Sequence, residues 1–261
     1  MLELRPAASL SIERLAALFT AGYEDYYTQV QVDAAALEYM VRAWDLDLEA
    51  ARVAIRDGEP IGVCMLGVRG DESWIGGLGV VVHERRHGVG EQLMHAVLDE
   101  ARARSVREVR LEVIRENVRA IPLYERLGFE RTRGLELWLL DGAPGSVEEI
   151  PAAEAHARVR SLRTHREPWQ RDDGTVANLD DAIGLAADGG AAVVRVSNGR
   201  VSVQQLAGTD DDALRTLLAG ARSLGDLLVF LNLPEGHPAG PVLAELGGRL
   251  EIAQHEMALT L

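Results

Sequence analysis

The sequence predicts an α/β (α+β) protein: a mixed central sheet flanked by helices, followed by a smaller domain of the same kind. Three observations predict it. Two amphipathic helical stretches open the chain. Short apolar, β-branched runs then alternate with helical patterns in the order strand–helix–strand–helix–strand. The same order recurs toward the C-terminus.

Residues 11–22 place Ile12, Leu15, Leu18 and Phe19 at helical spacing, and a second helix is expected over 33–44. Arg52–Arg56 reads as a strand, Asp57-Gly58 as a turn, Ile61–Val68 as the next strand and Ser73–Val82 as another. A helix over 89–104 carries Leu93, Met94, Val97, Leu98 and Ala101 on one face. In Arg107–Ile114, Val109, Leu111 and Val113 alternate with Arg110 and Glu112, the period of a strand. A short helix over 119–127 stops at Gly128, and Leu135–Leu140 closes the unit. The expected organisation is a domain over 1–142, a linker over 143–152 and a second domain over 153–261. In that second domain Asn198-Gly199 marks a hairpin between Ala192–Val196 and Val201–Leu206. A helix over 210–223, a strand over 227–232, a helix over 238–246 and a final strand near 251–260 follow.

With 27 basic against 41 acidic residues, the formal net charge is −14. That argues against a nucleic-acid binder, which needs a basic face to displace counterions. All the basic residues are arginine, so Schiff-base and P-loop lysine chemistry are excluded. The one cysteine, Cys64, builds neither an internal disulfide nor a cysteine zinc cage. No apolar run approaches the ~18–20 residues of a membrane span. The first residues lack the basic and apolar regions of a signal peptide. The expectation is a cytoplasmic protein with no membrane or nucleic-acid partner.

Two segments carry chemistry. In Leu78–Met94 an apolar strand runs through Val80 and Val82 into a basic, glycine-bearing turn that opens a helix. Gly88 and Gly90 allow a ligand to approach the backbone closely. The amides at the helix start and the helix dipole favour phosphate oxygens, and Arg85 and Arg86 carry guanidinium donors suited to them. His83-Glu-Arg-Arg-His87 also spells a zinc-peptidase pattern, which needs both histidines one turn apart on a single helix. The valines before it and the glycines after it place it in a turn instead, and no metal is expected. In the second segment, Leu111–Phe129, Glu112 points to the sheet face opposite Leu111 and Val113. Asn117 reads as a helix cap or a ligand contact, and Tyr124 as core packing or a proton donor.

These segments resemble the GNAT superfamily (GCN5-related N-acetyltransferases). Arg85-Arg-His-Gly-Val-Gly90 is similar to its acetyl-CoA motif, and Leu111-Glu-Val…Asn117…Ala120…Leu-Tyr124…Gly-Phe129 to its second motif. The resemblance covers residues 1–142 and implies the fold and the activity. The implied reaction is transfer of an acetyl group from acetyl-CoA to a primary amine by direct attack. It implies that Val80 and Val82 pair with the pantetheine arm, and that Arg85, Arg86, His87, Gly88, Val89 and Gly90 form the pyrophosphate loop. It further implies that Asn117 sits beside the cofactor, that Tyr124 is the general acid and that Glu112 is the base. Tyr23, Glu24 and Tyr27 lie in the stretch that would line the acceptor side. Their acids and rings suit a cationic amine, small molecule or peptide. The other reading is a GNAT-like module that senses acyl-CoA without turning it over.

The C-terminal unit resembles a decayed second copy. Ala239-Gly-Pro-Val-Leu-Ala-Glu-Leu-Gly247 aligns with Ala120-Ile-Pro-Leu-Tyr-Glu-Arg-Leu-Gly128 at an offset of 119. In that register Leu243 replaces Tyr124, and Gly236 replaces Asn117. Asp210, Asp211 and Asp212 stand at the strand-to-helix turn, where they repel a pyrophosphate, so one cofactor site per chain is expected. Arg163, His165, Arg166 and Trp169 are read as a surface helix end or as groups facing an acceptor cleft.

Overall fold

The computed structural model describes residues 1–261. They form two compact units: Met1–Thr132 with Glu256–Leu261, and Arg133–His255.

The first unit is built from β1 (Leu2–Pro6), α1 (Ile12–Gly22), α2 (Ala34–Ala43), β2 (Arg52–Arg56), β3 (Glu59–Arg69), β4 (Glu72–Val80), α3 (Val89–Ala103), β5 (Glu108–Ile114) and α4 (Ile121–Arg126). β6 (Glu130–Asp141) begins in it. Ser11 and Asp33 cap α1 and α2 by accepting backbone N–H groups, as short polar side chains do at helix starts. Asp57 and Gly58, both at positive φ, make the turn between β2 and β3. The strand order is β1-β2-β3-β4-β5. The first four strands pair antiparallel, and β4 and β5 pair parallel. The buried face of α3, from Val89 to Ala101, packs with Cys64, Leu66, Val109, Leu111, Val113 and Ile121. α1 packs against β3 and β4. Met257 is fully buried in this same core, and the Leu261 amide donates to the Arg107 carbonyl. The chain's last residues therefore finish its first unit.

The second unit adds β7 (Glu148–Ile150), α5 (Ala152–Leu162), α6 (Asp173–Ala177), β8 (Ala182–Ala187), β9 (Gly190–Ser197), β10 (Arg200–Gly208), α7 (Asp211–Ala221), β11 (Leu227–Pro234), α8 (Ala239–Glu245) and the first part of β12 (Arg249–Thr260), whose residues from Glu256 onward belong to the first unit. Its strand order is β6-β11-β10-β9-β8-β7. Asn198 and Gly199, at φ 51° and 73°, turn β9 into β10. As in the first unit, a strand meander leads through one helix to a parallel partner, here β11 beside β10. Two expectations about organisation change. The division falls within β6, not at 142, because that strand from Leu135 onward pairs with β11. The expected linker holds β7, which pairs with β8.

Candidate active site

β4 and β5 are paired only from Glu72–Trp74 to Glu108–Arg110, and then they separate. A register shift between β3 and β4, with Gly77 at φ 150°, bends β4 away at this point. The gap is a pocket of about 80 Å³. Gly77 and Leu78 line it from β4, Leu111, Glu112 and Val113 from β5, and Tyr23, Tyr26, Asn117 and Tyr124 close it. Leu111, Val113 and Tyr124 belong to the core under α3, whereas Glu112 alternates to the other sheet face. The split therefore brings a phenol from one side of the sheet and a carboxylate from the other to a single pocket.

Tyr124 is 7% exposed and meets Phe129 edge-on, with ring centroids 6.0 Å apart. Burial, and then the neighbouring Tyr23 and Cys64, raise its phenol well above the ordinary value, so it holds its proton. Glu112 accepts the Trp74 Nε1–H at 2.7 Å. Asn117 holds the start of α4, the first of the two readings its sequence position allows. Its Oδ1 accepts the Ala120 amide at 3.1 Å, and it lines the pocket wall together with Tyr26.

At the open end of β4, the turn 82–88 leads into α3. Arg86 and Gly88 take left-handed backbone, φ 67° and 75°, and no side chain caps the helix. The first-turn amides of α3 thus lack intrahelical partners beside an exposed, capless turn. A Cβ built on Gly90 would come no nearer than 3.8 Å to its neighbours. Open amides and a helix N-terminus fit a diphosphate. Two details differ from expectation. β4 ends at Val80, so Val82 opens a 3-10 turn and stands outside the strand. Arg85 does not extend toward the turn: its Nε donates to the Val80 carbonyl, and its Nη2 to the carbonyls of Gly22 and Glu24. It braces the end of α1 against β4. His83 lies in the 3-10 turn and His87 before the Gly88 cap, so the pair shares no helical face.

On the α1 side, a groove of about 630 Å³ is lined by Thr20, Tyr23, Glu24, Asp25, Tyr26 and Gln29, with neighbouring residues of the same loop. Tyr23 and Tyr26 wall both this groove and the smaller pocket. Tyr27 lines neither; it is exposed, and its hydroxyl donates to the Glu116 carbonyl at 2.8 Å. Sequence reasoning missed Trp74. Its partner Glu112 is distant in sequence, and only the strand register joins them.

In the second unit, the residues read as a surface helix end differ in depth: Arg166 is exposed, Arg163 and His165 are half-buried, and Trp169 is buried with the residues that flank it. Glu167 and Arg171 are each 2% exposed and ion-paired, with the Arg171 guanidinium 4.6 Å from the Phe230 ring centroid. Gln205 of β10 donates to the Arg171 carbonyl, and Asn232 of β11 to Gln170. The segment thus bonds to the two strands whose counterparts, β4 and β5, flank the pocket of the first unit. Arg163 pairs with Asp173, and His165 meets His237 edge-on.

A mixed sheet split between two parallel strands, with a glycine turn opening the helix that joins them, defines the N-acetyltransferase class of fold. Residues 13–129 match the family described as Acetyltransferase (GNAT). The whole chain shares its fold with solved two-unit and other GNAT proteins. One is a GCN5-related N-acetyltransferase from Sphaerobacter thermophilus, at 14% identity and TM-score 0.76, with 99% of this chain and 95% of that one covered. Another is a tandem GNAT protein from the clavulanic acid biosynthesis pathway, at 15% identity and TM-score 0.70, with 100% and 98% covered. A third is a GCN5-related N-acetyltransferase from Kribbella flavida, at 17% identity and TM-score 0.58, with 100% and 71% covered. No curated protein matches the chain by sequence. No helix is long and apolar enough to cross a membrane.

Proposed function

We propose that this protein is an acetyl-CoA-dependent N-acetyltransferase that acetylates a primary amine by direct attack. The observation that carries this reading is the shared pocket, with the Tyr124 phenol and the Glu112 carboxylate both lining it. When bound, acetyl-CoA supplies an activated acetyl thioester. The amides of residues 86–90 hold its diphosphate, and the Val80 backbone aligns the pantetheine arm. Glu112 takes the proton that an amine must lose before it can attack, a contribution of roughly 10²–10⁴-fold. Tyr124, kept protonated by burial, donates to the departing sulfur. Tyr23 and Tyr26 separate the pocket from the wider groove, where Glu24 and Asp25 favour a cationic acceptor.

A free-thiol assay with acetyl-CoA and a panel of amines tests the proposal. The panel spans small metabolites, amino acids, aminoglycosides and peptide N-termini. Thiol release that depends on one class of amine supports it. Acetyl-CoA binding without release from any amine supports a sensing module instead. The second unit's counterpart turn carries Asp210, which caps α7, with Asp211 and Asp212 beside it. Calorimetry is therefore expected to give one acetyl-CoA per chain.

A further inference from the structure

The last rung of the β4–β5 ladder before the strands separate is Trp74 opposite Arg110. Trp74 is 2% exposed, and its ring meets Trp44 nearly perpendicular, at 85° and 5.7 Å between centroids. Gly76 leaves room for it, because a Cβ there would lie 2.7 Å from the indole. So held, the indole N–H reaches Glu112 Oε2 at 2.7 Å, at the mouth of the pocket. The neighbouring charge on the same strand face, Arg110, is occupied by Glu108. A half-buried glutamate on a strand has several rotamers open to it, and a fixed N–H donor selects one of them.

We infer that Trp74 is a positioning residue: its indole N–H fixes the Glu112 carboxylate in the orientation that faces the acceptor amine. The inference rests on Glu112 acting as the proton acceptor. Trp74 itself touches no reacting atom. It acts through the carboxylate, as a supporting residue does when it holds a reacting group in register.

A double-mutant cycle on kcat tests this, using acetyl-CoA and the best amine from the thiol-release panel. The four proteins are the wild type, Trp74→Phe, Glu112→Gln and the double variant. Trp74→Phe is expected to lower kcat about 10-fold with the KM for acetyl-CoA changed less than about 2-fold. In the Glu112→Gln background the same change is expected to alter kcat less than about 2-fold. Gly76→Ala, which presses on the indole without removing it, goes through the same cycle, so a misfolded Trp74→Phe does not end the test. Equal losses in both backgrounds would assign Trp74 a purely structural role and overturn the inference, as would wild-type kcat in Trp74→Phe. Absence of thiol release from the wild type with every amine would overturn the reaction itself, and the role of Trp74 with it.

Discussion

Gly22 and Gly79 touch backbone to backbone: a Cβ built on Gly22 would lie 2.8 Å from the Gly79 Cα. The contact seats the C-terminal end of α1 on β4, next to the bend at Gly77. From there Tyr23, the next residue, reaches the pocket. Arg85 reinforces the seat through the Gly22 and Glu24 carbonyls.

Gly22→Ala is therefore expected to push α1 off β4. Overpacking of this kind destabilises by about 1–3 kcal/mol. Urea unfolding followed by tryptophan fluorescence measures the loss, and kcat is expected to fall with it as Tyr23 shifts. An unchanged unfolding midpoint would mean that the close approach carries no constraint.

Tyr124→Phe keeps the ring and its packing on Phe129 but removes the proton. It is expected to lower kcat by ~10-fold or more, in the range of acid–base contributions. Acetyl-CoA affinity, which we propose is set at residues 86–90, is expected to change little. Steady-state kinetics with a parallel binding titration separates the two effects, and wild-type turnover would remove Tyr124 from the chemistry.

Met257 stands near the end of the chain yet is fully buried in the core of the first unit. Met257→Ala is expected to destabilise that unit by about 2–5 kcal/mol, as large-to-small changes in cores do. A thermal melt read at Trp44 and Trp74 reports it. A melt unchanged from the wild type would show that the final strand contributes nothing there.

His237 gives the second unit an acid sensitivity. Burial first, then His165 and Arg171, push its pKa down to about 3, against about 6.5 in the unfolded chain. Between those values the unfolded state binds more protons, so stability falls as pH drops from about 6.5 to about 3. His237→Asn, which can still accept the Ala239 amide, is expected to flatten this part of the curve. Urea midpoints of both proteins across the window check it; parallel curves would refute the assignment.

Much of this was legible in the sequence because it is local. The turn at Gly88, the α3 face from Val89 to Ala101, the alternation around Glu112 and the Asn198-Gly199 hairpin each follow from neighbouring residues. What depends on distant partners was not legible. Arg85 reads as a phosphate ligand until the fold brings the carbonyls of Gly22 and Glu24 to it. The Trp74–Glu112 bond needs the parallel register, and Met257 reads as the end of the second unit. The buried Glu167–Arg171 pair was not singled out at all, because charge in sequence carries no sign of depth.

The central claim is that the turn before α3 holds a diphosphate and thereby aims a thioester at Tyr124. A crystal structure of the chain with bound CoA tests it most directly. The account predicts diphosphate oxygens on the amides of residues 86–90 and the sulfur within hydrogen-bonding reach of the Tyr124 hydroxyl. A diphosphate bound elsewhere, or a sulfur remote from that hydroxyl, would contradict it.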